Sequence, residues 1–392
     1  MADVLIAGGG VAGSALAIML GRGGVAVDLF ERSTFPREKP CGEGLMPAGV
    51  AVLEHLGLAE TVGGAPFYGV RYHVGERTLE GRFPRTAGMP DSGRGQRRRH
   101  LDQVLFEAAA YTPGVKAHTG VRVEAPLVEH GRVAGLLIEG QPARARLVVA
   151  ADGANSRLRH LLGLDATLLR KRFGVRAHFR LAKGQYQPPW VDVLLGSGYE
   201  LYVTPLPDRE VLFAALTDVP CGGEVIDDRF HRWISSHPLL AARLEGAEPV
   251  SRTMGATWQT GMAKSVVFSG AVLLGDAAGS IDPISGGGMT HALLTAELLA
   301  GYIQDQFDTG DEWMFQFEIH RRALLADFRR LTQVLLWLAD HPRLAAVALS
   351  AGCRSPLVVS HLMGVAAGTR RLFVAGANRF GHLACPSRES AS

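Results

Sequence analysis

Apolar residues open the chain as a block of strand length, Asp3 to Ala7, and give way to the glycine-rich turn Gly8-Gly9-Gly10-Val11-Ala12-Gly13. A helical run rich in Ala, Leu, Ile and Met follows from Ser14 to Arg22, and a second apolar strand, Val25 to Phe30, closes on Glu31. This order predicts a βαβ unit. Downstream, Ala48 to Leu56 and Leu101 to Ala110 have helical spacing, while Tyr68 to Phe83 alternates like a hairpin. Val121 to Leu127, Arg132 to Glu139 and Ala143 to Ala151 predict an antiparallel meander, turned at His130-Gly131 and Gly140-Gln141. From Phe173 to about Phe268 longer alternating runs (174–180, 191–195, 199–204, 211–216) predict a second, mostly antiparallel sheet. A strand at Ala271 to Leu274 then leads into a region that reads as helical from Thr290 almost to Leu372, with the last dozen residues loose.

Composition narrows the class. With 392 residues and 47% hydrophobic content the chain can bury a large core, and its length calls for two domains or one large composite. A net charge of +3 argues against a nucleic-acid partner, and the basic triplet Arg170-Lys171-Arg172 reads as a solvated face. Cys41, Cys221, Cys353 and Cys385 form no C-x-x-C pair, so neither a metal site nor a disulfide framework is expected, and a reducing, cytoplasmic setting fits. The first strand begins without a signal-peptide pattern and no apolar run reaches 18 residues, which predicts a soluble or at most peripheral protein. Phe315 to Ala339 is amphipathic, setting Arg321, Arg322, Arg329 and Arg330 against Leu and Phe; packing on the protein's own core is the leading reading, with contact to a membrane surface left open.

Three segments carry candidate chemistry. In the first, Gly8 allows the tight turn, Gly10 lets the backbone approach a pyrophosphate, and Gly13 packs helix on strand. Val11 and Ala12 would offer free N–H groups to the phosphates, and Glu31, with Arg32 beside it, lies where ribose hydroxyls are expected. In the second, Ala151-Asp152-Gly153 ends a strand; Asp152 is a candidate for cofactor binding, although the segment alone slightly favours a cap role for Asp152 or Ser156 on the helix that follows. The third is Gly275-Asp276-Ala-Ala-Gly-Ser-Ile-Asp282-Pro283-Ile-Ser-Gly286-Gly287-Gly288-Met289, where Asp276 can bond ribityl hydroxyls and the Gly286 to Met289 amides can hold an anionic ring edge.

In order and separation these motifs resemble the flavoprotein superfamily of aromatic hydroxylases, geranylgeranyl reductases and flavin-dependent halogenases, which has the para-hydroxybenzoate hydroxylase-like fold. The resemblance covers most of the chain. It implies an α/β architecture, a Rossmann-like FAD-binding domain with an inserted, mostly antiparallel substrate sheet and a helical C-terminal region. The implied division is 1–66, 96–165 and 269–300 for the FAD domain, 67–95 and 166–268 for the substrate domain, and 301–392 for the C-terminal helices. It further implies that Arg98, in an R-x-x-L-x-x-x-L segment, contacts the FAD phosphates, with Arg97 or Arg99 as substitutes. NADH or NADPH would be a transient donor, since no separate nicotinamide unit is present.

Within the superfamily the motifs lie nearest the geranylgeranyl reductase-like branch. Gly279 follows G-D-A-A where many hydroxylases have His, and Lys39-Pro-Cys41-Gly-Glu43-Gly44 is similar to the reductases' K-x-C-G-G-G, with Glu43 and Gly287 as departures. The halogenase W-x-W-x-I-P segment is missing. Cys41, Lys39 and Glu43 are the candidate catalytic residues, with a Lys39–Glu43 loop ion pair as the competing structural role for the last two. His73, His178 and His291 read as structural rather than as pocket acids or bases. The expected activity is hydroxylation of a hydrophobic aromatic or lipid-type substrate, with oxygen added at the flavin C4a. Alkene saturation of a polyprenyl or lipid substrate is the alternative, and electron transfer without an organic substrate is the second; a deep apolar cavity beside the flavin would separate an enzyme from such a carrier.

Overall fold

The structure, a computed structural model, describes residues 2–373 apart from 76, 166, 197 and 221–224, so Cys221, Cys385 and the C-terminal tail lie outside the described residues. Its first layer is a six-stranded sheet built on the fully buried strand Val4–Ala7. Val27–Glu31 and Val115–Thr119 extend it on one side, Leu147–Ala150 and Ala271–Leu273 on the other, all parallel, with Val267–Phe268 as an antiparallel edge. Helices Val11–Arg22, Arg98–Ala110 and Gly288–Gln306 cover one face. The meander Val123–Glu129, Arg132–Ile138 and Gln141–Arg144 covers the other, inserting Val133 and Leu136 into the core.

The third strand expected in the meander is in fact two. Gln141–Arg144 is mostly exposed and stays in the meander, whereas Leu147–Ala150 is buried throughout and joins the parallel sheet. A continuous apolar run suits a strand covered on both faces, and the chain changes sheets where the alternation stops.

The second layer runs, in spatial order, Gly279–Ser280, Met254–Met262, Arg170–Arg180, Glu210–Thr217, Tyr199–Pro205, Val191–Leu195, Gly69–Val74 and Arg77–Arg82, with Glu248–Pro249 pairing beside Arg170–Arg180. Its neighbours are antiparallel except Val191–Leu195, which pairs in parallel with Gly69–Val74, so the early hairpin becomes part of the later sheet. Helices Ile226–Ser235 and Pro238–Leu244 bury Phe230, Ile234 and Leu240 on its outer face. Helix Trp313–Asp340 packs Phe317, Leu325 and Phe328 into the main core, and Pro342–Cys353 and Pro356–Ala367 complete the helical region. Among the described residues no single helix is long and apolar enough to cross a membrane.

Arg172 corrects the solvated reading of its triplet. It is 1% exposed, ion-paired with Glu200, 3.2 Å from Asp218 and 3.9 Å from Asp282. Strand alternation turns it inward, and three carboxylates hold the charge that burial would otherwise penalise.

Candidate active site

The two layers enclose a cavity of about 230 Å³ between the glycine turns of the first and the inner face of the second. At one end Gly8 has φ +111°, and a Cβ there would meet the Ala151 carbonyl oxygen at 2.3 Å; a Cβ on Gly13 would meet the Gly8 oxygen at 2.0 Å. Both glycines serve packing. Gly10, by contrast, faces the cavity, where a Cβ would find only Arg37 Nη2 at 3.6 Å. Helix Val11–Arg22 starts at Val11, three residues earlier than the side-chain pattern predicts, and no side chain caps it. Its first N–H groups therefore open onto the cavity beside Val11 and Ala12.

Glu31 folds back on this turn. Its Oε2 accepts from Gly9 N–H at 3.0 Å and its Oε1 from Ser33 N–H at 2.9 Å, while Arg37 Nη2 lies 3.6 Å away. Arg32 is exposed and off the cavity wall. Arg98 lines the wall, gripped by Asp102 through bonds of 2.8 and 2.9 Å, and Asp102 also holds Arg37 at 2.9 Å. Arg97 turns instead to Glu210 and Glu38, and Arg99 is half exposed.

The Lys39 to Gly44 loop lies along the wall, but the Lys39–Glu43 pair does not form. Lys39 Nζ points to Asp276, 3.9 Å away. Its pKa is lowered by burial in the wall and by Arg98 and Arg37, with Asp276 and Asp102 opposing. Glu43, wholly buried at φ +56°, accepts from Arg98 N–H at 3.0 Å and bonds His178 Nε2 at 2.7 Å. It thus caps helix Arg98–Ala110 from a distant loop. Arg97 and Arg176 can only donate to His178 Nδ1, at 3.3 and 3.0 Å, so that nitrogen accepts and Nε2 carries the proton given to Glu43. Cys41 lines the cavity, its Sγ accepting from Glu43 N–H at 3.3 Å.

Asp152 caps a helix through one oxygen, while its Oδ1 is buried without a hydrogen-bond partner among the described residues. Its Oδ2 accepts from the Arg157 and Leu158 N–H groups at 2.9 and 3.3 Å, Ser156 caps the same helix, and Gly153 rather than Asp152 reaches the cavity. Gly275, with φ +59°, and Asp276 lie in the wall beside Ala12, so the first and third motifs meet. Pro283, Gly286, Gly288 and Met289 continue it, while Gly287 faces its own helix at His291. Nothing stands within 4 Å of the Cβ position of Gly288, and helix Gly288–Gln306 has no side-chain cap. Two uncapped helix starts, each behind a vacant glycine Cβ position, fit the diphosphate of a dinucleotide at Val11 and an electron-rich ring edge at Gly288.

The opposite wall is the inner face of the second sheet. Gly174, Ala214, Ala256, Leu216 and Met254 make a flat apolar floor, and Met46, Phe67 and Val191 close one end. Tyr202 Oη and Trp258 Nε1 are buried here without a hydrogen-bond partner among the described residues, and burial holds the Tyr202 pKa well above its usual value. Arg176 and Arg321 also line the cavity, and neither stands out in the sequence as a site residue. Arg321 is 2% exposed, donates to the Ala278 carbonyl oxygen at 3.5 Å, and has its pKa lowered to about 10 by burial. His73 lies elsewhere, bonded to Asp192 and Thr78.

Residues 1–316 match the family described as FAD binding domain. This chain belongs to it. A menaquinone reductase of Mycolicibacterium smegmatis is 30% identical over 85% of this chain and 84% of its own length. A squalene monooxygenase of Mus musculus is 30% identical over 79% of this chain and 56% of its own length. In fold, a flavoprotein/dehydrogenase of Cytophaga hutchinsonii superposes with a TM-score of 0.82 at 21% identity, covering 93% of this chain and 92% of that one. The chain is an FAD-dependent oxidoreductase of the para-hydroxybenzoate hydroxylase-like fold, with reductase and monooxygenase relatives.

Proposed function

We propose that this FAD enzyme hydroxylates a hydrophobic aromatic or lipid-type substrate with molecular oxygen, using NADH or NADPH as electron donor. The observation that carries the reading is the apolar floor of Gly174, Ala214 and Ala256, which faces the Gly286 to Gly288 turn across a single cavity. FAD, when bound, supplies the electron transfer and the activation of oxygen. The chain's own part is placement. Gly10, Arg98 and Asp276 would hold the cofactor, small floor residues leave room for a flat or extended substrate, and Met46, Phe67 and Val191 keep water from that end. Tyr202 Oη and Trp258 Nε1 offer unspent hydrogen bonds to a substrate oxygen. The named substrates of both relatives, a menaquinone and squalene, agree with an apolar cavity.

Alkene saturation is the second reading, favoured by Cys41 in the cavity wall, where a thiol could protonate the carbon opposite hydride delivery. One experiment separates the two: NAD(P)H oxidation with detergent-dispersed phenolic lipids, quinones and polyprenyl compounds, with and without oxygen, followed by mass analysis. Product carrying oxygen from labelled dioxygen supports hydroxylation. Turnover that continues without oxygen, saturates a double bond and is lost in Cys41→Ser would replace it by the reductase reading.

A further inference from the structure

The last two helices, Pro342–Cys353 and Pro356–Ala367, are each too short to span a bilayer and meet at a bend of 111°. Large apolar side chains of the pair point to solvent: Leu357, 86% exposed, and Val358, 58%, at the bend itself, and Leu344 and Val347, the latter 63%, in the first two turns of Pro342–Cys353. The charge carried by the two helices themselves has one sign. No acidic residue occurs between Asp340 and Glu389, whereas Arg343 and Arg354 flank the exposed apolar positions. The inner side of the same helix pair sends Val359 and Met363 into an apolar cluster with Met46, Phe67 and Val191, three residues of the cavity wall.

We propose that this corner docks on an anionic lipid surface, so that the apolar end of the cavity is brought to the membrane that holds the substrate. Leu344, Val347, Leu357 and Val358 enter the acyl boundary, and Arg343 and Arg354 pair with lipid phosphates. Exposed apolar side chains accompanied on the same two helices by arginines and by no carboxylate are the pattern of a helix lying in the interface, and this complementarity favours an anionic lipid surface as the occupant. The 111° bend turns both helices along the surface, while their inner faces stay packed on the protein. The inference deepens the proposed function by naming where the substrate comes from, and rests on that reading for its purpose.

Co-sedimentation of the full-length, FAD-loaded protein with phosphatidylcholine vesicles, with and without phosphatidylglycerol, tests it. The parent should bind the anionic vesicles, and Leu357→Asp with Val358→Asp should weaken partitioning roughly tenfold at unchanged flavin content and melting temperature. Arg343→Gln with Arg354→Gln should remove the preference for anionic lipid while leaving weak binding to both kinds of vesicle. A parent that stays in the supernatant overturns the proposal, as does an aspartate variant that binds like the parent. So does a self-association, seen by sedimentation velocity and lost in the aspartate variant, that accounts for the corner without vesicle binding. Vesicle binding is read without turnover, so failure of the hydroxylation reading leaves this result separately interpretable.

Discussion

Glu43 stands in a left-handed backbone conformation that costs any residue but glycine about 1 kcal/mol or more, and it stays there because its carboxylate is fully used. Removing the carboxylate leaves both His178 Nε2–H and the first amide of helix Arg98–Ala110 buried and unpaired. Glu43→Ala should therefore lower unfolding stability by about 2–4 kcal/mol. Glu43→Gly should lose less, because the backbone strain is relieved at the same time. Urea denaturation of the two variants beside the parent checks this, and equal losses would show that the strain contributes nothing. The sequence marks Glu43 only as a departure from a glycine run. Its partner His178 lies 135 positions away and becomes visible only when loop and sheet meet, so the expectation of a local pair with Lys39 could not hold.

At the level of elements, the glycine turns were legible because each local demand leaves a local trace: a strand, a turn with φ above zero, and a helix. Gly8 and Gly10 now separate into packing and cradle. Gly8→Ala forces a methyl against the Ala151 carbonyl at an unfavourable φ and should destabilise the apoprotein by at least about 1–3 kcal/mol. Gly10→Ala should leave the melting temperature of flavin-free protein nearly unchanged yet weaken FAD binding roughly tenfold, a difference of about 1.4 kcal/mol. Flavin titration and thermal melting of the two apoproteins read this directly; a Gly10→Ala variant with normal FAD affinity would remove Gly10 from the cradle. Alternation along Arg170–Arg180 likewise announces two faces, but does not say which one meets the flavin. For that reason the pattern alone marks neither Arg176 as a wall residue nor Arg172 as buried.

Across the whole molecule, Arg172 joins the layers: it rises from the second sheet and approaches Asp282, which caps the turn leading to Gly286. Glu200, on the neighbouring part of that sheet, is pushed up to about 7 by burial, with Arg172 opposing and Asp282 and Asp218 adding to the rise. Its folded value lies above its unfolded value of 4.5, so the folded state binds the proton more tightly. The stability this provides is complete below about pH 4.5 and is lost as pH rises through about 7. Relative to Glu200→Gln, the parent should lose about 3 kcal/mol of unfolding free energy over that interval. Unfolding curves at a series of pH values measure it, and a parent-to-variant difference that stays flat with pH would place the titration elsewhere.

The meeting of Gly275 with Ala12 has a practical corollary. Segments far apart in the sequence must both be in place before the cofactor has a complete seat, and ligand that binds only the finished fold draws the folding equilibrium with it. The yellow colour of a preparation is then a gauge of maturation: a truncated or misassembled chain would emerge pale, and adding FAD during refolding should raise the yield of active protein where adding it afterwards would not.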